Sequence, residues 1–206
     1  MCGRYYIEIS DAALKEIAEE IMRKMAGNPL SEQLSFKFDG EIFPTNIVPV
    51  QTAAQGFLPM RWGFTGFRSS GTGSQPSRAA RPIINARSET VLEKATFRQP
   101  VLERRCLIPA SGYYEWRQEQ AGKQKYRIFA ADGPIYFAGC WRSEKEPLGM
   151  VEIPRFVILT QAAAPGIEHI HDRMPVMFDS SQAQSWLDEG MSAVDGSLRE
   201  LSFAVA

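Results

Sequence analysis

Two helical stripes of apolar residues bracket a long series of short strand-like runs in this chain. Between Asp11 and Ala26, Leu14, Ile17, Ala18, Ile21, Met22 and Met25 recur at three- and four-residue spacing. That spacing predicts an amphipathic helix capped by Ser10 or Asp11 and stopped at Gly27. A second helical pattern runs from Ser181 to Glu189 and ends at Gly190. Between them the period shortens. Ile47 to Val50, Phe57 to Met60, Arg105 to Pro109, Gly112 to Arg117, Lys125 to Ala130, Ile135 to Trp141 and Phe156 to Thr160 are punctuated by glycine and proline and read as strands. Ser69 to Arg78 reads as a flexible loop, and Ser88 as a helix cap behind the apolar approach Ile83-Ile84. No repeat or linker divides the sequence. The pattern predicts one α+β domain over residues 1–206, strand-rich, with a barrel-like antiparallel sheet and a few flanking helices.

Composition narrows the function classes. A chain of 206 residues buries one substantial core. The formal net charge of -1 gives no bulk signal for nucleic-acid binding, so any polyanion site has to be a local basic face. No apolar run is long enough to span a bilayer, and the opening residues have neither the basic nor the apolar region of a signal peptide. A soluble cytoplasmic protein with no membrane partner is expected. The three cysteines, Cys2, Cys106 and Cys140, are odd in number and lack CxxC spacing. They predict neither a disulfide framework nor a structural zinc site, and Cys106 and Cys140 are expected to be reduced core residues.

The candidate chemistry starts at Cys2, directly behind Met1. Removal of Met1 would leave an amine and a thiol on adjacent carbons. A free α-amine titrates at about 7.7 to 8.0, so roughly a tenth or more of it is uncharged and nucleophilic at neutral pH. With an aldehyde such a group forms a Schiff base, and the thiol then closes a five-membered thiazolidine. A small second residue with no chemical role is the alternative. His169 and His171 are the only histidines, so a histidine acid/base role falls on one of them. As an H-x-H pair they supply too few ligands for a metal site, and no metal or other cofactor is expected. Glu115 stands between aromatics in Gly112-Tyr113-Tyr114-Glu115-Trp116, where desolvation would suit it to proton transfer, although a strand glutamate can equally face solvent. Asn85 and Arg87 alternate with Ala86, so an extended segment points both to one side.

Taken in order, Met1-Cys2-Gly3-Arg4, Arg61-Trp62-Gly63, Asn85-Ala86-Arg87-Ser88-Glu89-Thr90, Arg105-Cys106-Leu107-Ile108-Pro109-Ala110, Gly112-Tyr113-Tyr114-Glu115-Trp116 and Ile170-His171-Asp172-Arg173-Met174-Pro175 resemble the SRAP family, the SOS-response-associated peptidases. The resemblance covers most of the chain. It implies suicide-type crosslinking to abasic sites in single-stranded DNA, a lyase-like Schiff-base chemistry trapped as a thiazolidine, performed by a monomer that meets the nucleoid when bound. It implies Cys2 as the nucleophile, Asn85 holding the terminal amine or sugar, Glu115 moving protons at the amine and ring oxygen, and His171 assisting Schiff-base formation and reversal. For DNA contact it implies Arg4, Arg87 and Arg173 at phosphates, Asn46 and Pro49 beside the lesion, and Phe67 and Trp62 as aromatic platforms. Pro49 ending a strand and Trp62 or Phe67 in the core are the structural alternatives.

Relatives commonly continue past the equivalent of Leu201 to Ala206 into another extended segment, so the resemblance leaves the barrel edge open here. Two other functions fit parts of the pattern. A thiol peptidase would use Cys2 as nucleophile, His171 as base and Glu115 to orient it; with only Met1 ahead of Cys2, no propeptide is expected. A non-covalent reader of modified bases would need no free amino-terminal cysteine.

Overall fold

The computed structural model describes residues 2–27, 34–66, 81–120, 122–145, 152–198 and 200–206. Phe67 and the expected loop at Ser69 to Arg78 lie outside the described residues. The strands are β1 (Tyr5–Ile7), β2 (Gly40–Ile42), β3 (Ile47–Thr52), β4 (Gly56–Trp62), β5 (Asn85–Arg87), β6 (Arg105–Ala110), β7 (Gly112–Glu119), β8 (Gly122–Phe129), β9 (Ile135–Lys145), β10 (Glu152–Ala162), β11 (Arg173–Pro175), β12 (Met177–Phe178) and β13 (Ser202–Val205). The helices are α1 (Ala12–Met25), α2 (Ala95–Glu103) and α3 (Ala183–Glu189).

Strands β3, β4, β10, β9 and β6 close into a barrel, since β10 pairs with both β4 and β9 while β6 joins β9 to β3. A closed ring with an odd number of strands cannot alternate direction all the way round. One junction has to be parallel, and it is β4 with β10, where Arg61 lies beside Arg155 and Trp62 beside Phe156. β5 also joins β10 in parallel. Packing inside the ring is tight at Gly139, where an added Cβ would come within 2.6 Å of Ile108 Cδ1 and 2.7 Å of the Val157 carbonyl oxygen. Trp186 of α3, fully buried, seals this end by donating its indole N–H to the carbonyls of Cys106 at 3.0 Å and Gly139 at 3.2 Å.

The second sheet, in the order β13-β8-β7-β1-β2, is antiparallel throughout and lays one face on the barrel. Tyr5 and Tyr113 are cross-strand partners, and both set their rings edge-on to Phe137 of the barrel, at 5.5 and 6.3 Å. Residues 202–205 form β13 on β8 in this second sheet, outside the closed ring.

Local chemistry explains the ends of the helices. Asp11 Oδ1 accepts the N–H groups of Ala13 and Leu14 at 2.9 and 3.1 Å, which caps α1. Leu14, Ile17, Ala18 and Ile21 are buried beneath it, while Met22 is half-exposed. Ser88 opens a 3₁₀ turn without a side-chain cap bond, so the expected cap there is corrected. The helix nearby is α2, whose interior Pro100 hides it from periodicity. Asp179 caps the approach to α3, accepting the N–H groups of Ser181 and Gln182. Among the described residues no helix is long and apolar enough to cross a membrane.

Candidate functional site

Strand β10 is the hub that assembles the site. On one side it pairs Ile158 with Asn85 and Thr160 with Arg87; on the other it pairs Ala162 with Arg173. Its far end leads into the turns of 163–172, which carry His171 back toward β11. The Asn85-Ala86-Arg87 alternation appears as expected: Ala86 is buried, Asn85 half-buried and Arg87 exposed. From the second sheet come Cys2, just ahead of β1, and Glu115 on β7.

Cys2 is the centre of this arrangement. Its side chain has no exposed surface, and the Asn85 side-chain amide donates to its carbonyl oxygen at 2.8 Å. Its thiol points toward the Arg4 carbonyl at 3.8 Å. Burial pushes the Cys2 thiol far above its ordinary range, and the negative charge of Glu115 adds to the effect. Glu115 itself is 4% exposed, facing the interior beside Tyr113 rather than solvent. Desolvation raises its carboxyl above the usual carboxylate value, while nearby positive charge, including that of His171, opposes the rise. Three buried polar atoms here have no hydrogen-bond partner among the described residues: Asn85 Oδ1 and the Tyr5 and Tyr113 hydroxyls. Orphaned groups of this kind are uncommon in packed interiors.

His171 Nδ1 lies 3.0 Å from the Arg173 N–H and 2.9 Å from Asp172 Oδ1. One ring nitrogen cannot accept from the first and donate to the second at once. Asp172 is 86% exposed and loses little by turning to water, so the backbone bond is the one that orients the ring. Among the described residues no group of three or more His, Cys, Asp or Glu is placed to hold a metal.

The expected DNA contacts divide. Arg87 is exposed at the end of β5. Arg4 stacks its guanidinium over Phe43 at 4.3 Å and Trp116 at 5.0 Å and pairs with Glu41 at 3.1 Å. Arg173 is committed to Glu89 through two bonds, at 2.5 and 2.8 Å, and to the Thr160 carbonyl at 2.8 Å. Three of the expected contacts carry structural roles. Trp62 is wholly buried, its indole N–H donating to the Ile84 carbonyl at 3.0 Å and its ring stacked near Phe156, so it belongs to the barrel core. Pro49 is buried opposite Pro59 in the β3–β4 pair. Asn46 spends its side-chain oxygen on the Phe43 N–H at 2.9 Å, closing the turn in which Thr45 holds a left-handed φ of 78°. A branched residue in that region costs about 1 to 3 kcal/mol, which the bonds around it offset. Tyr113, Glu89 and Trp116 were not foreseen as members of the site. The available signal was the two-residue period, which puts Tyr113 on the face of Glu115.

The family model described as SOS response associated peptidase (SRAP) matches residues 1–204. The chain belongs to the SRAP family. It is 32% identical over 140 residues to abasic site processing protein YedK of Escherichia coli (strain K12), covering 68% of this chain and 58% of that protein. It is 30% identical over 154 residues to abasic site processing protein HMCES of Gallus gallus, covering 64% and 45%. It is 36% identical over 108 residues to abasic site processing protein YoqW of Bacillus subtilis (strain 168), covering 52% and 48%. This SRAP chain spans about half the length of the curated relatives it matches. Its fold is shared with a crystal structure from Bacteroides thetaiotaomicron at a TM-score of 0.72, with 20% identity over 99% of this chain and 91% of that one. A Bordetella bronchiseptica structure matches at 0.71, with 22% identity over 100% and 99%.

Proposed function

We propose that this protein captures abasic sites in single-stranded DNA by joining Cys2 covalently to the open sugar aldehyde after Met1 is removed. The observation that carries the proposal is the Asn85 amide 2.8 Å from the Cys2 carbonyl, with the Glu115 carboxyl near enough to act on the Cys2 thiol and His171 near enough to act on Glu115. The terminal amine of Cys2 attacks the aldehyde carbon and gives a carbinolamine. Glu115, kept protonated to a higher pH by burial, donates to the departing hydroxyl, and one water leaves as the imine forms. The thiol then adds to the same carbon and its proton moves to the nitrogen. The product is a thiazolidine, and the balance is aldehyde plus aminothiol giving ring plus one water. An imine left standing would acidify the adjacent carbon and promote strand cleavage, whereas the thiazolidine removes it. His171 assists opening of the sugar ring and, in reverse, release of the link. Arg87 supplies a phosphate contact of the kind a guanidinium makes well, with Arg4 and Arg173 available once their carboxylate partners are displaced.

The thiol's raised pKa favours this order over thiol-peptidase chemistry, in which Cys2 would need to be a ready thiolate. Borohydride trapping tests the proposal. Met1-free protein should form an adduct with abasic single-stranded DNA that is stable without reductant. Met1-free Cys2→Ala should give one only when borohydride reduces its imine. Absence of both species would refute the chemistry.

A further inference from the structure

The outward face of the sheet β13-β8-β7-β1-β2 carries rings and cations where a wet sheet surface ordinarily carries polar residues. Alternation builds it. On β7, Tyr114 and Trp116 point away from buried Tyr113 and Glu115; on β8, Lys125 and Arg127 point away from buried Tyr126 and Ile128. Strand pairing sets Trp116 opposite Lys125 and Tyr114 opposite Arg127. Lys125 Nζ sits 3.8 Å over the Tyr114 ring and 6.0 Å from that of Trp116, and Arg127 lies 5.2 Å over Phe129. The row continues through Arg4, stacked between Trp116 and Phe43, so it begins two residues from Cys2. Tyr6 lies on the same face, covered by Arg127 and packed beside Tyr114.

The charges along the row are only partly matched. Glu41 bridges Arg4 at 3.1 Å and Lys125 at 2.5 Å, and Glu8 reaches Arg127 at 3.5 Å. A carboxylate held between two cations occupies the place a phosphate oxygen would take. Half-exposed rings interleaved with cations are the surface on which single strands stack bases and neutralise backbone charge. We propose that this sheet face is a track for single-stranded DNA continuous with Cys2, holding the strand that runs away from a captured site. Phosphates displace Glu41 and Glu8 from Lys125 and Arg127, and bases lie against Tyr114 and Trp116. The direction in which the strand enters rests on the function proposed above, but the binding surface does not.

Two lengths of DNA test it: unmodified single strands of about 4 and about 16 nucleotides, the span of one binding surface. For the long strand, Lys125→Gln with Arg127→Gln should lower the slope of log affinity against log salt by about 1.4, or about 0.7 per cation. The short strand, which meets fewer of the cations at once, should lose less of its slope. Lys125→Arg should retain the wild-type slope. Glu41→Gln should tighten the long strand by about two- to fivefold, the size of an exposed ion pair, and a merely damaged fold cannot mimic a gain. Unchanged affinity and slope in the double variant, or no gain in Glu41→Gln, would overturn the track and leave the row as sheet reinforcement. Crosslinking of a short abasic strand is read separately. Its loss in the wild type would refute the proposed chemistry and leave the track to the binding data.

Discussion

Replacing Glu115 by Gln should make the protein more stable at neutral pH and slower in its chemistry. Glu115 is 4% exposed, and burial raises its pKa above the ordinary 4.5. A carboxyl whose pKa is higher folded than unfolded binds its proton more tightly in the folded state. Its contribution to stability is therefore fully present below 4.5 and is lost as pH rises from that value through the folded pKa. Above the folded pKa the loss is constant, at ~1.4 kcal/mol for each pH unit of elevation. Gln keeps the acceptor oxygen for the Trp116 N–H and cannot ionise, so it removes the loss. Denaturant unfolding of both proteins across the acid to neutral range should show equal pH response below 4.5, then a growing advantage for Gln that levels off. The height of the plateau divided by ~1.4 kcal/mol must equal the distance in pH units from 4.5 to the levelling point. The same variant should crosslink about 10²- to 10⁴-fold more slowly and lose the limb of the pH–rate profile at that levelling point. A stability difference that is flat with pH, or a Gln variant less stable throughout, would refute the buried, raised carboxyl.

Three further outcomes follow from the packing and the exposed cation. Arg87→Ala should weaken binding to single strands of any sequence and reduce the salt slope by about 0.7; an unchanged slope would remove Arg87 from the phosphate path. Trp62→Ala should cost about 3 to 5 kcal/mol in unfolding free energy, because the ring is wholly buried against Tyr5 and Phe156, and a soluble variant of wild-type stability would contradict its place in the core. Gly112→Ala should cost about 1 to 3 kcal/mol, since the new Cβ would meet the Ile128 carbonyl oxygen and the Tyr6 hydroxyl, both at 2.5 Å; an undisturbed melting curve would show that the sheet has slack there.

Alternation and capping make most of this fold legible in the sequence. The period of Leu14, Ile17, Ala18 and Ile21 located α1 because a single face of it is buried. Strands β3, β4 and β6 to β10 announced themselves through apolar runs between glycines and prolines, whereas the three-residue β5 did not. What stayed hidden is nonlocal. No local pattern shows that β10 pairs with both β4 and β9, and that closure fixes the one parallel junction and the location of Asn85 and Arg173 on either side of one strand. The burial of Trp62 and Pro49 is tertiary in the same way, since an aromatic or a proline on a strand fits a core and a ligand face equally well. Glu115 could be singled out by its aromatic neighbours, but its inward orientation is set by Tyr113 facing Phe137. The capture of Arg173 by Glu89 joins residues 84 apart and has no sequence signature.

The central claim is that Cys2 is a two-handed reagent whose amine and thiol meet one aldehyde carbon. Intact mass of the Met1-free protein after incubation with a single strand carrying one abasic site measures this directly. The predicted product has the summed mass of protein and strand less one water, resists mild heating without reductant, and is absent in Cys2→Ala. His171→Ala should still reach it on long incubation, delayed by the 10²- to 10⁴-fold range of a lost proton-transfer group. A product of that mass formed in normal yield by Cys2→Ala, or no adduct from Met1-free wild type, would contradict the account.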